Sequence, residues 1–319
     1  MKRREFVAGV FALSFSGFVR AQSAKPLKLI LSVPPGAALD ASARLLAEKL
    51  KFSLDRPVII DYKPGGAGLA AGEFLKGSEA DGTNLLYSPT GFYSYNPFLM
   101  AKLPYDPDRE LAPVCEGTTI PTATTVATAS GIAGFKDWVE AIRRDPKQRF
   151  VGTPSASGVG VFLAHLMAKT FGVDLQVVAY KGGRPLLTDL LGGQVPASGS
   201  VIADYLEMHR AGRLKILAQS LPGRSVLAPD VPSYTELGYP DFTGKTSFGF
   251  FVKAGTARAL IDQYAKAITE ALRVPDTAKR LNDMGLETAG GTPEEFGKVL
   301  LDDRNRWAPI AKAAGIRAD

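Results

Sequence analysis

The sequence predicts a two-lobed α/β protein built on mostly parallel sheets, and three observations predict it. Short β-rich runs alternate many times with helical patterns, which is the layering in which helices cover both faces of a sheet. The 319 residues exceed what one hydrophobic core usually organises. The chain then ends in helical patterns with no strands of their own to cover, so these must pack back onto an earlier sheet. Lobe 1 is therefore expected to be discontinuous, residues 22–126 and 246–319, with lobe 2, residues 127–245, inserted between two crossings.

Lys2, Arg3 and Arg4 precede an apolar run over residues 6–18. That run is well short of the ~20 residues of a membrane-spanning helix, and Val19 and Ala21 are small residues placed for cleavage after Ala21. Residues 1–21 read as a secretory signal peptide, with an uncleaved anchor as the alternative. The arginine pair followed by Glu5, Phe6 and Val7 is similar to a twin-arginine signal, although Lys2 stands where a serine is usual. Both export routes stay open.

Residues 27–33 read as a strand, 34–38 as a tight loop, and 39–52 as a helix with Leu39, Ala43, Leu46 and Leu50 on one face. Asp40 falls in that helix's first turn. A strand over 58–62 runs into Pro64-Gly-Gly-Ala-Gly68 and a helix through Phe74 and Leu75. Residues 85–88 make a third strand, and the aromatic segment 90–96 follows. The plan repeats with strand 150–153, a small-residue loop 154–160, helix 161–171 and strand 176–180. Helix 186–191, strand 197–201, helix 203–211 and strand 214–220 complete lobe 2. Strand 248–252 precedes helices over 257–272, 275–284 and 293–314.

Composition narrows the function. Hydrophobic residues make up 45% and charged residues 22%, and no later apolar run approaches a membrane span. The formal charge of +6 is scattered rather than clustered, so nothing asks for nucleic acid. Cys115 is the only cysteine and reads as a buried thiol. No metal-ligand spacing is present, no Gly-x-Ser-x-Gly elbow occurs, and the two histidines, His165 and His209, lie in helical patterns. Gly66-Ala-Gly-Leu-Ala-Ala71 imitates a dinucleotide fingerprint, but Ser88, Pro89 and Thr90 stand where its acidic residue belongs. No cofactor and no catalysis are expected.

Ligands of open α/β sheets sit outside the carboxyl ends of strands. Two loops there, 33–40 and 153–160, join small side chains to a helix start, where exposed N–H groups and the helix dipole favour an anion. Each also reads as a compact turn with no ligand. Asp40 either meets a ligand or orients its loop. Ser155 and Ser157 either donate to a carboxylate or cap the following helix. The aromatic segment is either pocket wall or core, and Lys181 reads as a solvated charge.

At these residues the chain resembles the substrate-binding receptors of tripartite tricarboxylate transporters, the Bug family. The resemblance runs through Lys28-Leu-Ile-Leu-Ser-Val-Pro-Pro-Gly36 with Asp40, Lys63-Pro-Gly-Gly-Ala-Gly68, Ala80-Asp-Gly82, Asn96-Pro97 and Leu103-Pro-Tyr-Asp-Pro107. It continues through Tyr180-Lys-Gly-Gly183, Leu190-Leu-Gly-Gly-Gln194, Ala211-Gly-Arg-Leu214, Pro229-Asp-Val-Pro232, Gly290-Gly-Thr-Pro-Glu-Glu295 and Ala314-Gly-Ile316. It implies a type II periplasmic-binding-protein fold, two α/β lobes around a central cleft joined by a hinge. It further implies a periplasmic, monomeric receptor that delivers a small carboxylate to the small and large membrane subunits of a transporter. Some similar receptors report to a sensor kinase instead.

The contacts then expected are Pro35, Gly36, Ala37, Ala38 and Asp40 from the first loop, and Thr90, Phe92 and Tyr93 after the third strand. Thr153, Ser155, Ala156, Ser157, Gly158 and Ser200 are expected from lobe 2. Ala37 replaces the second glycine of the family's usual Pro-Gly-Gly, Val161 stands at the site of a common histidine, and Ser200 at that of a common acid. These departures, with the aromatic segment, predict a pocket for a monocarboxylate or aromatic acid rather than citrate.

Overall fold

The computed structural model describes residues 25–100 and 102–317. The expected signal peptide lies outside them. Elements follow in the order β1 (Leu27–Leu31), α1 (Ala38–Ser53), β2 (Val58–Tyr62), α2 (Leu69–Lys76), β3 (Asn84–Pro89) and three short helices, α3 (Gly91–Ser94), α4 (Asn96–Leu99) and α5 (Pro107–Glu110). Strand β4 (Leu111–Ala127) leads to α6 (Phe135–Arg144), β5 (Phe150–Thr153), α7 (Val159–Phe171), β6 (Gln176–Ala179), α8 (Gly183–Leu191), β7 (Ala197–Val201), α9 (Leu206–Arg210) and β8 (Leu214–Gln219). The chain closes with β9 (Lys245–Lys253), α10 (Arg258–Arg273), α11 (Pro275–Asp283), β10 (Glu287–Gly290) and α12 (Pro293–Ala313).

The sheet is mixed rather than mostly parallel. Its order is β2-β1-β3-β9-β4-β7-β5-β6, with β8 and β10 also on β4. The flanks β2-β1-β3 and β6-β5-β7 are parallel, but every pairing of β4 and β9 is antiparallel. The central strand β4 runs for 17 residues. Leu111 to Pro121 pair with β9, and Thr122 to Ala127 pair with β7 and β8. One strand thus serves both halves. The chain returns beside it, where Ser220 N–H donates to Thr122 O at 2.9 Å and Gly244 N–H to Ser220 O at 2.9 Å.

Register fixes which edges face each other. Phe248 of β9 pairs with both Pro89, at the carboxyl end of β3, and Thr118 of β4. Val201, at the carboxyl end of β7, pairs with Thr122. The carboxyl ends of both parallel flanks therefore converge on the crossing near residues 118–122. The loops that follow β1, β2 and β3 confront those that follow β5, β6 and β7.

Helix α12 belongs to both halves. Phe296 and Leu300 pack with Ile30, Leu86 and Phe251 of the first half, whereas Trp307 and Ala311 are buried with Trp138, Phe162 and Phe242 of the second. The ring of Phe162 lies 5.4 Å from Trp307, stacked, and 5.2 Å from Tyr95, edge-on. At the first residues of β9, Lys245 Nζ bonds Glu116 at 2.8 Å and Ser247 Oγ donates to Glu116 Oε1 at 2.6 Å. Burial pushes the nearby Asp303 carboxyl of α12 up to about 7, Glu116 adding to the rise while Lys245 and Arg306 pull against it.

Two elements differ from the sequence reading. Residues 203–211 are not one helix but a 3₁₀ turn, Ile202–Asp204, and the short α9. The terminal helices are interrupted by β10, which pairs with β4.

Gly160, the second residue of α7, lies so close to β7 that a Cβ would stand 2.1 Å from Gly199 O. Gly160→Ala is expected to destabilise the protein by at least about 1–3 kcal/mol, as overpacking against backbone does, measured by urea unfolding. Asp303 holds its proton longer folded than unfolded. Stability should therefore fall as pH rises from the ordinary 3.8 to about 7 and level off above. Asp303→Asn should remove that slope and gain most over wild type above pH 7, read from thermal midpoints.

Candidate functional site

On the first edge, the loop after β1 is closed by Asp40. Its Oδ2 accepts Gly36 N–H at 2.8 Å, its Oδ1 accepts Tyr62 O–H at 2.8 Å, and Arg44 Nε lies 3.1 Å from Oδ1. Burial, at 4% exposure, raises the carboxyl's pKa, but these bonds outweigh it and the net shift is downward. Asp40 therefore stays ionised and fully engaged with protein. It orients the loop. Gly36 takes φ +88°, which favours glycine, while Ala37 sits at φ −71°, ψ 158°, where alanine is unstrained. Pro35 and Gly36 are exposed, Ala37 is half-buried, and Ala38 opens α1 without a side-chain cap.

Behind this loop Ser32 and Ser88 share a buried hydrogen bond of 2.8 Å. Thr90 is buried, its N–H held by Ser247 O at 2.8 Å. Lys63 bonds Asp61 at 3.1 Å and lies 4.9 Å over the Phe74 ring.

On the second edge, Thr153 Oγ1 donates to Ser155 O at 2.8 Å and Ser155 Oγ to Ser157 O at 2.5 Å. The two hydroxyls fold the loop on itself. Neither caps the helix: no side chain caps α7, and its N-cap, Gly158, has φ +117° with nothing within 4 Å of where a Cβ would be. The first N–H groups of this 13-residue helix have no intrahelical partner, and the Gly158 Cα beside them is uncrowded on its Cβ side. Ala156 is exposed, while Ser157 and Gly158 are half-buried. Ser200 Oγ donates to Asp204 Oδ2 at 2.7 Å.

Phe92 corrects the sequence expectation. Its ring is 0% exposed and packs at 5.0 Å against Phe251 and 6.3 Å against Tyr105, so it is core and presents nothing to a ligand. Tyr93 is also buried, stacked 5.4 Å from Phe251, with the Arg304 guanidinium 5.6 Å from its ring. Tyr95 packs on Phe162. The aromatic segment builds lobe contacts rather than a pocket wall. The sequence reading also passes over Asp204, whose only signal was an acid just beyond a strand's carboxyl end.

A concavity of about 760 Å³ lies elsewhere, between Phe98 to Met100 and the end of α12. It takes no residue from either set of loops, and helix ends rather than helix starts line it. The opposed loops remain the candidate site, because strand polarity gathers the helix starts there.

Comparisons with known proteins place the chain in a family and a fold. The model of the tripartite tricarboxylate transporter family receptor matches residues 42–316. The chain belongs to that family. Protein BugT of Bordetella pertussis is 29% identical over 295 residues, covering 92% of this chain and 90% of BugT. A solved periplasmic transporter is 26% identical, with TM-score 0.78 over 94% of this chain and 100% of its own. The adipate-bound protein Rpa4515 of R. palustris shares the fold at 24% identity, TM-score 0.78, over 93% and 99% of the two chains. Membership carries the type II two-lobed fold and points to a receptor rather than an enzyme. Among the described residues no helix is long and apolar enough to cross a membrane.

The lowered pKa of Asp40 has a stability consequence. The group contributes above its ordinary value of 3.8, and the contribution disappears as pH falls through the lower folded value. Asp40→Asn should therefore be less stable than wild type at neutral pH, with the gap closing below pH 3.8 in paired thermal melts.

Proposed function

We propose that this receptor works in the periplasm, captures a small carboxylate between its two sets of loops, and delivers it to the small and large membrane subunits of a tripartite transporter. The observation that carries the reading is the open, uncapped start of α7 at Gly158, on the edge that confronts the loop ordered by Asp40. Unpaired N–H groups and the helix dipole favour an anion there without a fixed cation. Adipate in the R. palustris protein of the same fold supports a carboxylate ligand.

The ligand's carboxylate is held by backbone at Gly158 to Val161, with Ser157 and Thr90 at the margins, and its remainder spans toward Pro35 to Ala37. Contacts made to both edges at once favour the closed arrangement over the open one, and only that difference moves the hinge. A monocarboxylate remains the favoured class. The aromatic part of the earlier expectation loses its support with Phe92 and Tyr93 in the core.

A thermal-shift screen of residues 22–319, refolded to strip carried ligand, against mono-, di- and tricarboxylates tests this. A ligand at a hundredfold excess over its Kd stabilises by about 2.7 kcal/mol. Gly158→Val places a branched side chain in the open approach and a strained φ, so it should abolish the shift. A panel with no shift for the wild-type protein would remove the carboxylate reading.

A further inference from the structure

The loop after β6 is laced to the loop that leads to α7. Tyr180 N–H donates to Thr153 O at 2.8 Å and Gly182 N–H to Pro154 O at 2.9 Å. Lys181 lies between those two bonds, just past the carboxyl end of β6, on the same lobe 2 edge as the start of α7. Arg184 follows in the first turn of α8. Both residues are exposed, and neither side chain has an ion pair or hydrogen bond among the described residues.

Arg184 stands where its own helix works against it. A helix start carries the positive end of the dipole, so acids are favoured there and cations at the far end. This nine-residue helix has no acid in its first turn and no side-chain cap, and its N-cap is Gly182. Two cations and a dipole end of the same sign thus share one stretch of the edge. Two acids touch that stretch, and both are half-buried and tied back: Asp189 accepts from Tyr180 O–H at 2.9 Å, and Asp204 from Ser200 O–H at 2.7 Å. Across the cleft the cations are already paired, Arg44 with Asp40 at 3.1 Å and Lys63 with Asp61 at 3.1 Å. Fixed positive charge with no partner concentrates anions around it, an effect that salt screens.

We infer that Lys181 and Arg184 form a cationic rim that draws an anionic ligand to the lobe 2 edge and speeds its capture, while the backbone at the start of α7 holds it. This rests on the carboxylate reading above. It gives the two side chains a role in the rate of binding rather than in the bound complex.

The test is stopped-flow binding of three- to six-carbon mono- and dicarboxylates at about 10 and about 150 mM salt, between which the Debye length shrinks from about 30 to about 8 Å. For the tightest-binding acid, wild type should associate at least about threefold faster at the lower salt. Lys181→Gln combined with Arg184→Gln should associate at least about threefold more slowly than wild type at low salt and lose most of the salt dependence. Its dissociation rate should stay within about twofold of wild type, since a rim charge acts on encounter. Its thermal midpoint should equal or exceed that of wild type, because Arg184→Gln removes a cation from a helix start. A lowered midpoint would mark the pair as structural and count against the inference. Association rates unmoved in the double variant, or an effect carried wholly by faster dissociation, would overturn it and leave the carboxylate receptor standing. Binding of no acid by wild type would overturn both.

Discussion

Strand β4 sets the geometry on which the rest of the molecule depends. Because it runs through both halves, pairing first with β9 and then with β7 and β8, it fixes the direction of each sheet relative to the other. The parallel flanks then have no choice but to point their carboxyl ends at the crossing. Helix starts gather where strands end, so one shared strand gives two opposed rows of exposed N–H groups. The cleft follows from polarity.

The same sharing constrains motion. Rotation of one half against the other has to be absorbed in β4 near residues 120–122, in the return at Ser220 and Gly244, and in α12 between Leu300 and Trp307. The first lies within β4, and the second joins residues just beyond the ends of β8 and β9, the kind of element-terminal position where hinges form. The third is helical, anchored at one end by Phe296 against β9 and at the other by Trp307 on Phe162. The same Phe162 ring of α7, whose N-terminus forms the candidate anion site, also packs on Tyr95, which follows α3.

Much of this was legible in the sequence, for identifiable reasons. Strands β1, β2 and β3 are apolar runs ended by Pro and Gly, and α1 carries a clean apolar stripe, so the first half and its loop could be read directly. The long strand could not. Its sequence is rich in Thr and Ala without alternation, and it contains Pro113 and Pro121, which normally argue against a strand interior. The structure accommodates them at a register shift beside Pro113 and at the end of the β9 pairing, Pro121 with Lys245. Helix α6 was readable from Phe135, Trp138, Val139 and Ile142, and the sequence reading passes over it. Phe92 and Tyr93 were misplaced because an aromatic residue beside a strand end has the same local signature in a core as in a pocket. Only the arrival of Phe251 from far along the chain decides between them.

Asp40 and Asp204 show how differently two acids near helix starts are held. Asp40 lies in the first turn of α1, where a ligand contact and loop ordering are equally good readings from sequence. In the structure Tyr62 arrives from the neighbouring strand, 22 residues on, and donates to one of the Asp40 carboxylate oxygens. Asp204 lacks any such arrival. Its carboxyl lies on the 3₁₀ turn, four residues after Ser200, tied back by the serine hydroxyl. On that turn the carboxyl is half-buried against Gly183, with no ion pair among the described residues. Among the described residues the protein thus gives Asp40 three close partners and Asp204 a single serine hydroxyl.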